Sequence, residues 1–153
     1  MALAEAVVAL LTAEAQLTAL FTGGIVSLNQ IGGLGLTKRS YPDAWEPPDR
    51  LVMRPTLVVR TFREQVTLDI TDEDLQYRGT RSVVRLEYFD DRSHGWTTLY
   101  NAMPIVYRVL EGKSAGGKRL MYQDYDDTIR VKDLDYACAI VETYFARGVR
   151  RPS

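Results

Sequence analysis

The stretch Arg54–Arg60 restricts the fold of this chain more than any other segment. Pro55 cannot donate a hydrogen bond to a neighbouring strand, so it belongs at the first residue of a strand or on an edge. The following Leu57, Val58 and Val59 are residues that favour a pleated surface. We therefore predict that a sheet begins here, and that the later segments pair with this strand or pack on the sheet.

A single amphipathic helix is predicted at the start of the chain. Its apolar residues recur at spacings of three and four, which places them on one face: Leu3, Val7, Leu10, Leu11, Leu17, Leu20 and Phe21. Gly23 and Gly24 follow, and glycine tolerates the left-handed conformation that often ends a helix. The helix is therefore expected to end there.

Residues 23–51 contain five glycines and three prolines, a density that excludes long regular structure. Loops of more than roughly a dozen residues are uncommon in compact domains and are usually functional or disordered. This loop also carries many apolar residues, too many for a solvated linker: Ile25, Val26, Leu28, Ile31, Leu34, Leu36, Tyr41 and Trp45. We expect it to pack on its own domain or on a neighbour.

The remaining chain alternates between strand and helix patterns. Thr61–Thr71 indicates a second strand or a continuation of the first, and Arg81–Phe89 alternates as a half-buried strand does. A second helix is predicted from N-cap candidates at Asp90–Ser93 to Gly112, with a kink or a later start at Pro104. A flexible turn at 114–117 is followed by a predicted strand at Lys118–Asp124, which Ile129 and Val131 would extend after a bend. The last strand is predicted at Tyr136–Phe145, and it is expected to be central because both its faces are apolar.

This order of elements predicts an α+β fold. We expect a mainly antiparallel sheet of about four to five strands, with two helices on one face and a long N-terminal loop. A chain of 153 residues matches one domain. The predicted divisions are an N-terminal helix at 1–22, an extended loop or arm at 23–52, the sheet with its second helix at 53–147, and a cationic tail at 148–153.

Composition and charge limit the classes of function. The formal net charge of −1 lacks the basic field of a dedicated nucleic-acid-binding protein. Cys138 is the only cysteine, which excludes an internal disulfide and fits an intracellular, cytoplasmic protein. The N-terminus has no cationic region typical of a signal peptide, and no apolar run approaches the roughly 20 residues that cross a bilayer.

The residues that usually perform chemistry do not form a recognisable site. His94 is the only histidine, and Ser93 beside it is interpreted as a helix N-cap rather than a nucleophile. Cys138 is predicted to be an inert buried thiol. The turn Asp124–Asp127 lacks the glycine and glutamate of a calcium loop, and the glycines at 32–35 fit no phosphate-binding motif. We predict no catalytic residue, no metal and no cofactor, and hence no enzyme.

Four segments nevertheless resemble a known family. The helix end Leu20–Ile25, then Leu36–Arg39, Tyr41–Trp45 and the strand Arg54–Arg60 are similar to small virion-assembly proteins of tailed bacteriophages. Among these, the chain most resembles the tail terminator, or tail completion, proteins of long-tailed phages. The resemblance extends over the whole chain in its order of elements, whereas its specific residues lie in roughly the first sixty.

The resemblance implies a function of shape and contact. Members of this family form a hexameric ring that caps the tail tube, stops tail polymerisation and offers a surface to the head connector. Each subunit of a closed ring buries surface on the next. The implied interface residues are Ile25, Leu28, Ile31, Leu34, Leu36, Tyr41, Trp45, Arg60 and Phe62. The implied partners are further copies, the tail tube protein and the head-tail connector, with DNA only as passing cargo and no membrane.

Other interpretations remain open from the sequence. A head-tail connector or stopper protein of the phage neck has a similar size, and a related protein could serve a phage-like particle such as a gene transfer agent. A small ligand-binding or enzymatic α+β domain is the alternative from a different class. Under the family interpretation, the protein belongs to the tail or neck of a virion that is assembled in the host cytoplasm.

Overall fold

A computed structural model describes residues 2–28, 41–49, 51–69, 76–127 and 137–148. In these ranges a six-stranded sheet, curled like half a barrel, packs against three α-helices. The helices are α1 (Leu3–Thr12), α2 (Ala15–Leu20) and α3 (Thr97–Leu110). The strands are β1 (Ile25–Ser27), β2 (Thr56–Asp69), β3 (Gln76–Asp91), β4 (Ser114–Ala115), β5 (Lys118–Asp126) and β6 (Ala137–Gly148).

The strand order across the sheet is β1-β2-β3-β6-β5-β4. β1 runs parallel to β2, and the other neighbours are antiparallel. The predicted α+β class and the mainly antiparallel sheet are confirmed. The predicted numbers of four to five strands and two helices fit only roughly, because the short strands β1 and β4 lie in segments interpreted as loop and turn.

The N-terminal segment forms two helices and not the single helix predicted from its periodicity. Ala13 ends α1, and the Glu14 side chain accepts a hydrogen bond from the backbone N–H of Gln16 at the start of α2. Val7, Leu11 and Leu17 are nevertheless fully buried. The spacing thus identified the buried face, but periodicity does not register a local cap that interrupts a helix.

The end of this helical segment is fixed by a close approach to β2. Gly24 adopts a φ of 105°, as expected for glycine after a helix. Gly23 donates its N–H to the Pro55 carbonyl, and a Cβ atom at Gly23 would collide with the Thr56 side chain. Gly23 therefore sets how closely the helices approach the start of β2.

β2 begins immediately after Pro55, as predicted, and continues without a break to Asp69, so the first two predicted strands are one. Residues 70 and 71 of the second prediction lie outside the described ranges. β3 is longer than the predicted Arg81–Phe89, and β5 extends two residues beyond Asp124. β6 is central, between β3 and β5, as its two apolar faces predicted. Residues 129 and 131 and the glycines at 32–35 lie outside the described ranges.

The second predicted helix is α3, but its start differs from the prediction. Asp91 accepts a hydrogen bond from the Ser93 N–H and caps a short 3-10 helix at Arg92–His94, whereas α3 begins at Thr97 without a side-chain cap. Pro104 lies inside α3 on its exposed side. The helix is held by four buried residues on its other side, which offset the hydrogen bond that proline cannot donate: Leu99, Ala102, Val106 and Leu110.

The two faces of the sheet are covered differently. The helix-side face carries the main core, to which β3 contributes Val84, Leu86 and Tyr88. The opposite face, called here the outer face, includes Val58, Arg60 and Phe62 of β2. A second apolar cluster covers only one end of it: Leu28, Ala44, Trp45, Met53, Val58, Phe89 and Ala139.

Within the described ranges, β2 and β3 continue beyond the end of the β3–β6 pairing. Pairing of β3 with β6 ends at Ser82 and Ala146, while β2 and β3 continue from Glu64 opposite Arg81 to Asp69 opposite Gln76. Six register pairs at about 3.3 Å per residue make an extension of roughly 20 Å. We call residues 64–69 and 76–81 the overhanging hairpin. Within the described ranges, no helix is long and apolar enough to cross a membrane.

Candidate assembly surface

Two of the predicted interface residues lie inside the subunit. Leu28 and Trp45 are 7% and 3% exposed, and they pack with Val58 and Phe89 on the outer face. The segment that carries Trp45 is held by a bridge between Trp45 and Met53 and by hydrogen bonds to its neighbours. The apolar loop segment at 41–45 thus covers its own sheet.

The other predicted interface residues occupy different environments. Ile25 is partly buried against the main core, and Tyr41 is partly buried against the second cluster. Phe62 is 46% exposed on the outer face. Ile31, Leu34 and Leu36 lie outside the described ranges. The assignment of this group to an interface stays a prediction.

Arg60, also predicted at the interface, belongs to a charged group in the middle of the outer face. Its Nε lies 2.5 Å from Oε1 of Glu87, and Nε of Arg85 lies 3.1 Å from Oε2 of the same carboxylate. Arg60 and Arg85 are directly opposite each other on β2 and β3. The carboxylate between them offsets the repulsion of the two guanidinium groups.

Beyond this group, one row of large apolar side chains crosses the outer face. Register pairs Phe62 with Val83, Val83 with Phe145, and Phe145 with Met121. Phe62 and Met121 are both among the exposed large apolar residues of the described chain. Val83, in the middle of the row, is buried.

Three arginines lie beside this apolar row. Arg147 and Arg119 are directly opposite each other on β6 and β5, and both are exposed. The Arg81 guanidinium lies 3.6 Å from the centre of the Phe145 ring, a cation-π contact. The exposed or partly exposed residues of this region form what we call the basic-apolar patch: Phe62, Arg81, Arg119, Met121, Phe145 and Arg147.

The other end of β5 has the opposite charge. Asp124 and Asp126 are exposed, and Tyr125 between them is 53% exposed. Tyr100 of α3 donates a hydrogen bond of 2.6 Å to Asp127, and its ring lies 6.0 Å from that of Trp96. We call these residues the acidic-aromatic patch: Trp96, Tyr100, Asp124, Tyr125, Asp126 and Asp127.

The acidic turn at 124–127, which lacks the residues of a calcium loop, is therefore part of this patch. No group of three or more His, Cys, Asp or Glu side chains in the described ranges could hold a metal ion. Cys138 is buried, and burial raises the pKa of its thiol, as expected for an inert cysteine.

His94 is held by carboxylates at the end of β3. Its Nδ1 lies 2.7 Å from Oδ1 of the buried Asp90, and this contact raises the pKa of the imidazole. Its Nε2 lies 3.6 Å from Glu46, in the segment that carries Trp45. The Ser93 hydroxyl instead donates to Asp91 at 2.7 Å. Ser93 and His94 therefore form no nucleophile-base pair of the kind a catalytic triad requires.

A carboxyl group is buried beside the main core. Glu142 is 2% exposed and accepts a hydrogen bond from the Tyr88 hydroxyl. Burial raises the pKa of Glu142 to about 7, and the bond from Tyr88 opposes this rise. The ring of Tyr144 contacts that of Tyr122 edge to face at 5.3 Å. This carboxyl is enclosed between sheet and helices, so its effect is on stability.

Of the residues in the two patches, only Phe62 is among the interface residues predicted from the sequence. The available signal was the alternation at the end of β6, where Thr143, Phe145 and Arg147 lie on one face. That pattern predicts a half-exposed strand but does not reveal its neighbours. The register with β5, which brings Met121 and Arg119 beside Phe145 and Arg147, is a property of the fold.

The comparisons with known proteins show a likeness of fold but no matching family. No protein family matches the sequence, and no curated protein matches it. Among solved structures, a chain of the virion of the native gene transfer agent particle is similar, with a TM-score of 0.53 and 20% sequence identity. The aligned region covers 95% of this chain and 93% of that chain. The likeness therefore concerns the whole fold and not a shared fragment.

Proposed function

We propose that this chain is a structural protein of a phage-like virion. The observation that carries the proposal is the fold shared with a chain of the gene transfer agent virion, over 95% of one chain and 93% of the other. The resemblance of the first sixty residues to tailed-phage assembly proteins supports the same class independently. The function then lies in the contacts that the surface makes within the particle.

Within that class, we assign the chain to the tail terminator role. It forms a homohexameric ring that caps the tail tube, ends tail polymerisation and presents the head-attachment surface. Two exposed patches of aromatic, Met, Arg and Asp side chains support an assembly function, since aromatic residues, Met and Arg are enriched at protein interfaces.

The experiment compares particles from cells that carry the intact gene with particles from cells that lack it. A tagged protein labelled with gold is expected at one axial position of the purified virion, at the junction of tail and head. Without the gene, the terminator role predicts tails of uncontrolled length. Tails of normal length that fail to join heads would instead identify a connector or stopper, and absence from purified particles would overturn the virion assignment.

A further inference from the structure

We infer that copies of this chain associate head to tail, with the basic-apolar patch of one subunit on the acidic-aromatic patch of the next. The inference deepens the proposed function and rests on it, because a ring needs two different, complementary surfaces on each subunit. It names those surfaces. They lie at opposite ends of β5, with Arg119 and Met121 near its start and Asp124–Asp127 at its end.

Two like charges face each other within the basic-apolar patch. Arg119 and Arg147 are directly opposite each other in the register, an arrangement that destabilises a sheet. Arg60 and Arg85 have the same relationship, but Glu87 bridges them. Neither Arg119 nor Arg147 forms an ion pair with a described residue. Carboxylates of a second subunit would neutralise this pair as Glu87 neutralises the other.

Most of the exposed large apolar side chains of the described chain lie in the two patches. Seven large apolar residues of the described chain are exposed: Leu51, Phe62, Trp96, Tyr100, Tyr107, Met121 and Tyr125. Five of these lie in the two patches, with Phe62 and Met121 among arginines and the three aromatic residues among aspartates. The charged residues that define the basic-apolar patch are arginines and those that define the acidic-aromatic patch are aspartates, so apolar and oppositely charged groups can meet in one contact.

The overhanging hairpin leaves the sheet at Ser82, beside the basic-apolar patch. A second subunit that docks on this patch would therefore lie alongside the hairpin.

The test uses two double variants of the full chain. Arg119→Glu with Arg147→Glu makes the basic patch acidic, and Asp124→Arg with Asp126→Arg makes the acidic patch basic. Each variant alone presents like charges across every contact, so we expect its association constant to fall by about tenfold or more. Mixed in equal amounts, the two variants restore opposite charges at every contact of an alternating ring. Native mass spectrometry is expected to show mixed oligomers.

Two controls separate this mechanism from general charge effects. Glu5→Lys with Arg108→Gln changes two exposed charges on the helices, outside both patches, and it is expected to associate as the wild type does. Raising the salt concentration from about 50 mM to about 500 mM is expected to weaken wild-type association, because exposed charges are screened. The restoration on mixing also shows that both variants fold.

Three results would overturn the inference. They are a wild type that stays monomeric at low salt both alone and with tail tube protein, association that ignores both charge reversals and salt, and variants that fail to associate when mixed. Loss of duplex DNA binding in the Arg119 and Arg147 variant of a monomeric protein would assign the basic patch to nucleic acid instead. Gold labelling of the virion is independent of these results, so the proposed function and this inference can fail separately.

Discussion

The Tyr88 hydroxyl donates a hydrogen bond to the Glu142 carboxylate across a sequence separation of 54 residues, inside the core between the sheet and the helices. The two residues lie on the adjacent strands β3 and β6. Burial raises the pKa of Glu142 to about 7, against an ordinary value of 4.5. Because this group binds its proton more tightly in the folded than in the unfolded chain, it makes folding stability depend on pH.

We predict that Glu142→Gln reduces the pH dependence of stability. The folded-state pKa is raised, so the contribution is fully present below about pH 4.5 and is lost as the pH rises through about 7. At about 1.4 kcal/mol per pKa unit, the loss is about 3 kcal/mol. Urea unfolding at several pH values between about pH 5 and about pH 8 gives the free energy of unfolding of the wild type and of the variant. The exposed Glu5→Gln is the control, and equal slopes for Glu142→Gln and wild type would refute the prediction.

Removal of the Tyr88 hydroxyl, which donates the hydrogen bond, should increase the pH dependence of stability that Glu142→Gln reduces. Tyr88→Phe leaves the ionised Glu142 without its hydrogen bond, so we expect a loss of about 1.5–3 kcal/mol at alkaline pH. Since that bond opposes the rise in pKa, the pKa of Glu142 should also increase in the variant. NMR titration of the Glu142 carboxyl carbon measures it. The exposed Tyr107→Phe should leave both quantities unchanged, and an unshifted pKa in Tyr88→Phe would contradict the account.

Gly23 is predicted to tolerate no side chain. In Gly23→Ala, the added Cβ meets the Thr56 side chain and the Pro55 carbonyl, so the helices or β2 must move. We expect a loss of about 1–3 kcal/mol in the free energy of unfolding. The matched variant is Gly148→Ala, at an exposed position where no atom lies within 4 Å of the new Cβ. Equal denaturation midpoints for the two variants would contradict the close approach of Gly23 to Thr56.

The two tryptophans offer a matched comparison of a buried and an exposed ring. Trp45 is 3% exposed, and Trp96 is 38% exposed in the acidic-aromatic patch. Trp45→Ala should lower the free energy of unfolding by about 3–5 kcal/mol, and Trp96→Ala by less than about 1 kcal/mol. Thermal unfolding at low protein concentration measures both. The reverse order would place Trp45 at a subunit contact, as the family resemblance implies.

The elements that could be predicted from sequence are those fixed by local physics. Pro55 marks the start of β2, and the two apolar faces at 138–145 predicted the central position of β6. β1 could not be predicted, because three residues carry no periodic signal and its pairing with β2 depends on a contact across about thirty residues. The cap at Glu14 and the exact start of α3 were also missed, because the ends of helices depend on local cap geometry that periodicity does not record.

The candidate surface was less predictable than the fold. Apolar residues in the long loop suggested an interface, yet Leu28 and Trp45 cover the subunit's own sheet. A sequence shows that a residue needs burial but does not show which molecule buries it. The basic-apolar patch depends on the register of four strands, which brings together residues from positions 62 to 147.

The central claim is that this chain acts by forming a ring in a phage-like virion. Its most direct test is the solution mass of the full chain, measured by light scattering at several concentrations, alone and with tail tube protein. The account predicts a closed hexamer, formed by the chain alone or on addition of the tube protein. A strict monomer that ignores the tube protein would contradict it.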